Sequence, residues 1–119
     1  MIILKDDIHE FFQLKPELLL VISTINLDFH KKGYDLVVTS MIRKLCEDKK
    51  LKAVSKSHQE GRAVDISIKG IDKAWLKQYC KELEEIFSDI AAISAKTLKP
   101  RLTVIHDNGN GYHLHLQVR

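Results

Sequence analysis

Apolar residues recur every three to four positions from Pro16 to about Lys31, with Leu19, Leu20, Ile22, Ile25, Leu27 and Phe29 supplying the stripe. That period predicts a helix, with Pro16 suited to its first turn and Gly33 as its stop. Asp35 to Thr39 is β-branched and short, which predicts a strand. Met41 to about Asp48 reads as a short helix or turn. From Arg62 to Ile68 the pattern alternates, with Val64, Ile66 and Ile68 on one face and Ala63, Asp65 and Ser67 on the other. Asp72 to about Ile93 carries the strongest helical pattern, with Asp72 as cap and Trp75, Leu76, Tyr79, Leu83, Ile86 and Phe87 as its apolar positions. Arg101 to Ile105 and Tyr112 to Val118 read as two strands joined by Asp-Asn-Gly-Asn-Gly, the chemistry of a hairpin loop. The sum is an α+β fold, a small mainly antiparallel sheet packed by helices.

The 119 residues carry no linker, repeat or low-complexity stretch, so residues 1–119 are expected to form one domain. Hydrophobic residues at 45% and charged residues at 29% exclude a disordered or collagen-like chain. The net charge of +3 is mild and no basic tract extends beyond Lys49-Lys50. Without aromatic residues interleaved among the cations, this pattern argues against nucleic acid as a partner. Cys46 and Cys80 lie in helix-like stretches and form no CxxC or CxxH pair, so buried free thiols are the simplest reading. The opening Met-Ile-Ile-Leu meets Lys5, Asp6 and Asp7, which leaves no room for a signal-peptide core. No stretch approaches the ~20 apolar residues of a membrane span. Synthesis in the cytoplasm without a signal peptide and a monomeric state are the expectations that follow.

Histidine changes the picture. Three of the six, His106, His113 and His115, fall in the last fourteen residues. Alternation along the last strand sets His113, His115 and Gln117 on one face and Leu114, Leu116 and Val118 on the other. The leucines and the valine belong to the core, so the histidines are expected to look out from the sheet. The middle strand offers Asp65 on its own non-core face, with His58 seven positions earlier. Zinc suits such a set, being commonly held by imidazole nitrogen and carboxylate oxygen. His58, Asp65 and His115 form the expected triple.

The residues around that triple add a resemblance. Ser57-His58-Gln59-Glu60-Gly61-Arg62-Ala63-Val64-Asp65 reads SHxxGxAxD, similar to an SxHxxGxAxD pattern with Ser57 directly beside His58, Tyr112-His113-Leu114-His115 supplies a terminal HxH, and Val37-Val38-Thr39-Ser40-Met41-Ile42-Arg43 is similar to a V-T-S-G-Y-R stretch. Together they resemble the zinc D-alanyl-D-alanine metallopeptidase family, which includes VanY-like carboxypeptidases and phage L-alanyl-D-glutamate endolysins and shares its fold with the hedgehog signalling domain. The resemblance implies a peptidase that hydrolyses peptide bonds in peptidoglycan stem peptides, with Zn2+ held by His58, Asp65 and His115. It further implies that Arg43 meets a substrate carboxylate, that Ser57 orients neighbouring groups by hydrogen bonding, and that His113 stabilises charge in the transition state.

The chain departs from the family pattern in three places. Relatives carry a Glu shortly before the last ligand to accept a proton, whereas here the positions three and six before His115 are Tyr112 and Gly109. Asp107 is the nearest carboxylate and becomes the candidate base. Met41-Ile42 stands where Gly-Tyr is usual, and Gln117 where relatives often have Asp. The missing Glu also sets up the alternative, a catalytically silent zinc-binding domain of the same fold used for protein interaction. Either form is compatible with a phage-encoded protein acting at the cell wall.

Overall fold

A computed structural model describes residues 2–4, 11, 13–40, 61–107 and 112–119, with backbone only at Ser40 and Asp107. The first helix, α1, spans Pro16–Lys31 and starts with Pro in its first turn after an extended Lys15. Its buried residues are Leu18, Val21, Ile22, Ile25 and Phe29. The buried stripe therefore includes Leu18 and Val21, whereas Leu20 and Leu27, expected to be on it, are more than half exposed. The helix ends in a Schellman motif. The Tyr34 amide donates to the Phe29 carbonyl and the Gly33 amide to the His30 carbonyl, with Gly33 at φ +81°. The accompanying apolar contact is Tyr34 edge-on to Phe29, at a ring separation of 6.0 Å.

The second helix, α2, spans Lys73–Ile86, and the Asp72 carboxylate caps it by accepting from the Trp75 amide at 3.2 Å. It is shorter than its sequence pattern predicts. After Phe87 the chain turns, Ala91 bridges to Val118, and Ala92–Ile93 pairs with Pro100–Arg101. A run such as Ile90-Ala-Ala-Ile suits helix or strand alike, and the free backbone groups of the sheet decide it. Between the helices, the Tyr79 hydroxyl donates to Asp28 at 2.6 Å. Burial, and then the Asp28 carboxylate, push the Tyr79 hydroxyl well above the ordinary tyrosine range.

The described residues also form seven strands: β1 (Ile2–Leu4), β2 (Leu36–Ser40), β3 (Ala63–Ser67), β4 (Ala92–Ile93), β5 (Pro100–Arg101), β6 (Thr103–Asp107) and β7 (Tyr112–Gln117). The main sheet runs β1-β2-β3-β7-β6, with β1 and β2 parallel and every other neighbour antiparallel. Sequence pattern alone misses β1, which is too short to show a period, and merges β5 with β6. The chain breaks between them because the Leu102 and Thr103 amides both turn to the Glu84 carboxylate on α2.

Both helices contribute to one apolar cluster with the sheet residues Leu36, Val38, Val64, Ile66, Leu114 and Leu116. One face of the sheet is thereby committed to the core, and the opposite face is left for polar groups. The fold is α+β with a mainly antiparallel sheet, as the hydrophobic pattern predicts. No helix among the described residues is long and apolar enough to cross a membrane.

Candidate metal centre

Strand β7 lies between β3 and β6, and its register sets the site. Asp65 pairs with His115 and Ser67 with His113 on one side, and His106 pairs with His113 on the other. Directly opposed residues on one face hold their Cβ atoms about 5 Å apart, and long side chains also reach diagonally. His115 therefore has Asp65 straight across one neighbour and His106 diagonally across the other. A register irregularity between Val38 and Ser40 brings Ser40 opposite Asp65, and the Thr39 hydroxyl donates to the Asp65 carbonyl at 3.2 Å. Bulges of this kind commonly re-aim the strand beside a site.

The histidines look out from the sheet on its non-core face, as alternation predicts, and that face is itself covered. Asp65 is 1% exposed, His113 7% and His115 8%. A carboxylate this deep is costly to bury unless a partner offsets the lost hydration. His115 is such a partner: its Nδ1 lies 2.9 Å from Asp65 Oδ1. The other ring nitrogen, Nε2, lies 3.2 Å from Gln117 Oε1. The Gln117 Nε2 donates to the Arg101 carbonyl at 3.2 Å, which fixes the amide with its oxygen toward the imidazole. Gln117, where the resemblance has Asp, thus steadies the His115 ring. A hydrogen-bonded outer nitrogen is how proteins orient a ligating histidine and leave the other nitrogen for a metal.

His106 completes the group. Its ring stands edge-on to that of His115, with centroids 5.4 Å apart and planes at 75°. Asp65, His106 and His115 each offer a ligand atom, and these lie within 4.8 Å of one another. Two donors on one tetrahedral zinc ion sit roughly 3.3 Å apart, given metal–ligand distances near 2.0–2.1 Å. The Asp65–His115 pair is already close to that spacing. One carboxylate and two imidazoles can hold a metal ion, and as a donor set they suit a metal of zinc's borderline character.

The structure thus brings together Asp65 and His115 from segments fifty residues apart. It adds His106, which lies outside the triple expected from the sequence. The signal that finds His106 is hairpin arithmetic: closing the Asn108–Gly111 loop with an Asp107–Tyr112 pair sets His106 across from His113. His113 is buried beside the group on β7, and its Nδ1 has no hydrogen-bond partner among the described residues. Asp107 is the last residue of β6, paired with Tyr112, and its side chain lies outside the described part. Arg43, Ser57 and His58 lie outside the described residues. The chain matches no protein-family model, no curated protein and no solved structure.

The motif glycine has a structural reason. Gly61 adopts φ +71°, and a Cβ there would stand 2.7 Å from the Gln13 carbonyl oxygen. Its own carbonyl accepts from the Lys15 amide at 3.0 Å. Gly61 therefore fixes the start of α1 against the entry to β3, two residues before the strand that carries Asp65.

Proposed function

We propose that this chain is a zinc-dependent peptidase of the D-alanyl-D-alanine metallopeptidase type that hydrolyses peptide bonds in peptidoglycan stem peptides. The observation that supports the reading best is the 2.9 Å contact between Asp65 and His115, which joins the SHxxGxAxD segment to the terminal HxH. Asp65 and His115 would hold the zinc ion, with the third ligand an imidazole nitrogen from His58, as the resemblance implies, or from His106. When bound, zinc supplies Lewis-acid activation of water and of the scissile carbonyl. Gln117 keeps the His115 ring in place, His113 is positioned on the same strand face to hydrogen-bond a substrate oxygen, Asp107 is the proposed proton acceptor, and Arg43 would hold a substrate carboxylate. Ser57 would orient the His58 segment. The hedgehog-like form of the α+β fold belongs to the same proposal.

One observation favours a second reading. If His58 and His106 both bind, four protein ligands close the coordination sphere, as in structural zinc sites, and the domain becomes a zinc-stabilised interaction module. The two readings separate on one experiment. The zinc-loaded chain is incubated with purified peptidoglycan, and new free amino groups are measured beside a His115→Ala control. Release by the wild type and none by the variant supports the peptidase; no release from either, with stoichiometric zinc bound, supports the module.

A further inference from the structure

The hydrogen bonds around His115 fix more than the position of its ring. They start from the Arg101 carbonyl, which can only accept. The Gln117 amide nitrogen donates to that carbonyl at 3.2 Å, so the amide oxygen faces the imidazole. This oxygen can also only accept, and it lies 3.2 Å from His115 Nε2. Nε2 therefore carries a proton. In a neutral imidazole the other nitrogen then holds a lone pair, and Nδ1 lies 2.9 Å from Asp65 Oδ1. Two lone pairs meet at that distance only around a positive centre, a proton or a metal ion.

The strand register explains why Nδ1 is the nitrogen on the Asp65 side. The Val118 amide donates to the Arg62 carbonyl at 2.8 Å, which makes these two a hydrogen-bonded pair. Alternation along β3 and β7 then makes Asp65 and His115 a non-hydrogen-bonded pair, the kind that brings side chains closest. Nδ1, bonded to Cγ, meets the carboxylate directly across. Nε2, at the far end of the ring, meets Gln117, two residues along on the same strand face.

We propose that Gln117 is a positioning residue: its amide oxygen holds the proton on Nε2, which makes Nδ1 the nitrogen that His115 gives to a divalent metal ion. The ion takes the place between Nδ1 and Asp65 Oδ1 that a proton holds in the metal-free chain. The inference rests on the reading that Asp65 and His115 hold a metal, and it adds the ligand atom and the residue that selects it. A neutral amide sets the ring without placing a second negative charge beside it, unlike a carboxylate at the same position.

The test uses the full chain labelled in its histidine nitrogens, zinc chloride as the probe, and long-range proton–nitrogen correlation spectra. In the zinc-loaded wild type, His115 should show metal on Nδ1 and a proton on Nε2. Zinc affinity, read by competition with a chelating dye, should fall about 10- to 100-fold in Gln117→Leu, the range for losing the outer hydrogen bond of a ligating histidine. Gln117→Glu, which still accepts from Nε2, should restore the affinity with the same ligand atom. Zinc on Nε2 in the wild type would overturn the proposal and needs no variant to fold. Unchanged affinity in folded Gln117→Leu would remove the role of Gln117 and leave the metal site standing. No zinc on the wild type would remove the metal site itself, and this inference with it.

Discussion

Replacing Asp65 by Asn separates a metal ligand from a structural ion pair. The substitution keeps the shape and leaves an amide that can either donate to or accept from His115 Nδ1 in place of the carboxylate at 2.9 Å. Without metal, the loss is the difference between a charge-assisted and a neutral hydrogen bond, about 1 kcal/mol. Relief of burying a carboxylate that is 1% exposed offsets part of it. The metal-free variant should therefore melt within about 4 °C of the wild type, taking ~4 °C per kcal/mol for a domain of this size. With zinc at roughly a hundred times its dissociation constant, the wild type gains about 2.7 kcal/mol, or ~11 °C. The Asn variant loses the anionic ligand and should gain almost nothing. Paired thermal melts in chelator and in zinc read both numbers. An equal zinc-dependent rise in the two proteins would refute the role of the carboxylate, and a large metal-free collapse of the variant would make Asp65 a structural anchor instead.

Other outcomes follow from the packing. Gly61→Ala puts a Cβ at positive φ against the Gln13 carbonyl and should cost about 2 kcal/mol or more, seen as a lower urea midpoint. Phe29→Ala empties a fully buried position between Tyr34, Trp75 and Tyr79 and should cost about 3–5 kcal/mol. The single tryptophan, Trp75, reports that unfolding by fluorescence. Burial, partly opposed by a Thr103 hydrogen bond and reinforced by Glu84, pushes the Cys80 thiol up. In a Cys46→Ser background, Cys80 should thus resist a thiol reagent at neutral pH in the folded protein and react promptly in denaturant.

Much of the fold is legible from short-range pattern. Alternation assigns Val64 and Ile66 to the core face and Asp65 to the other, and the proline and glycine bracketing α1 mark its ends. What the pattern cannot carry is the competition between partners distant in sequence. Ala91 leaves its helix-like run because Val118 offers it a bridge, and Leu102 leaves its strand because Glu84 takes its amide. The site shows the same division. Strand period separates polar from apolar faces, yet it says nothing of what covers the polar one, so the burial of His113 and His115 emerges only from the fold. Asp65 and His115 are visible as motif residues, while His106 emerges only once the hairpin register is fixed.

The proposed function requires that Asp65 and His115 together hold one zinc ion. Metal analysis of the purified chain after zinc loading and exhaustive desalting tests it most directly, with His115→Ala alongside. The account predicts about one zinc per chain in the wild type and loss of it in a variant that still melts cooperatively. Stoichiometric zinc retained by folded His115→Ala would contradict it.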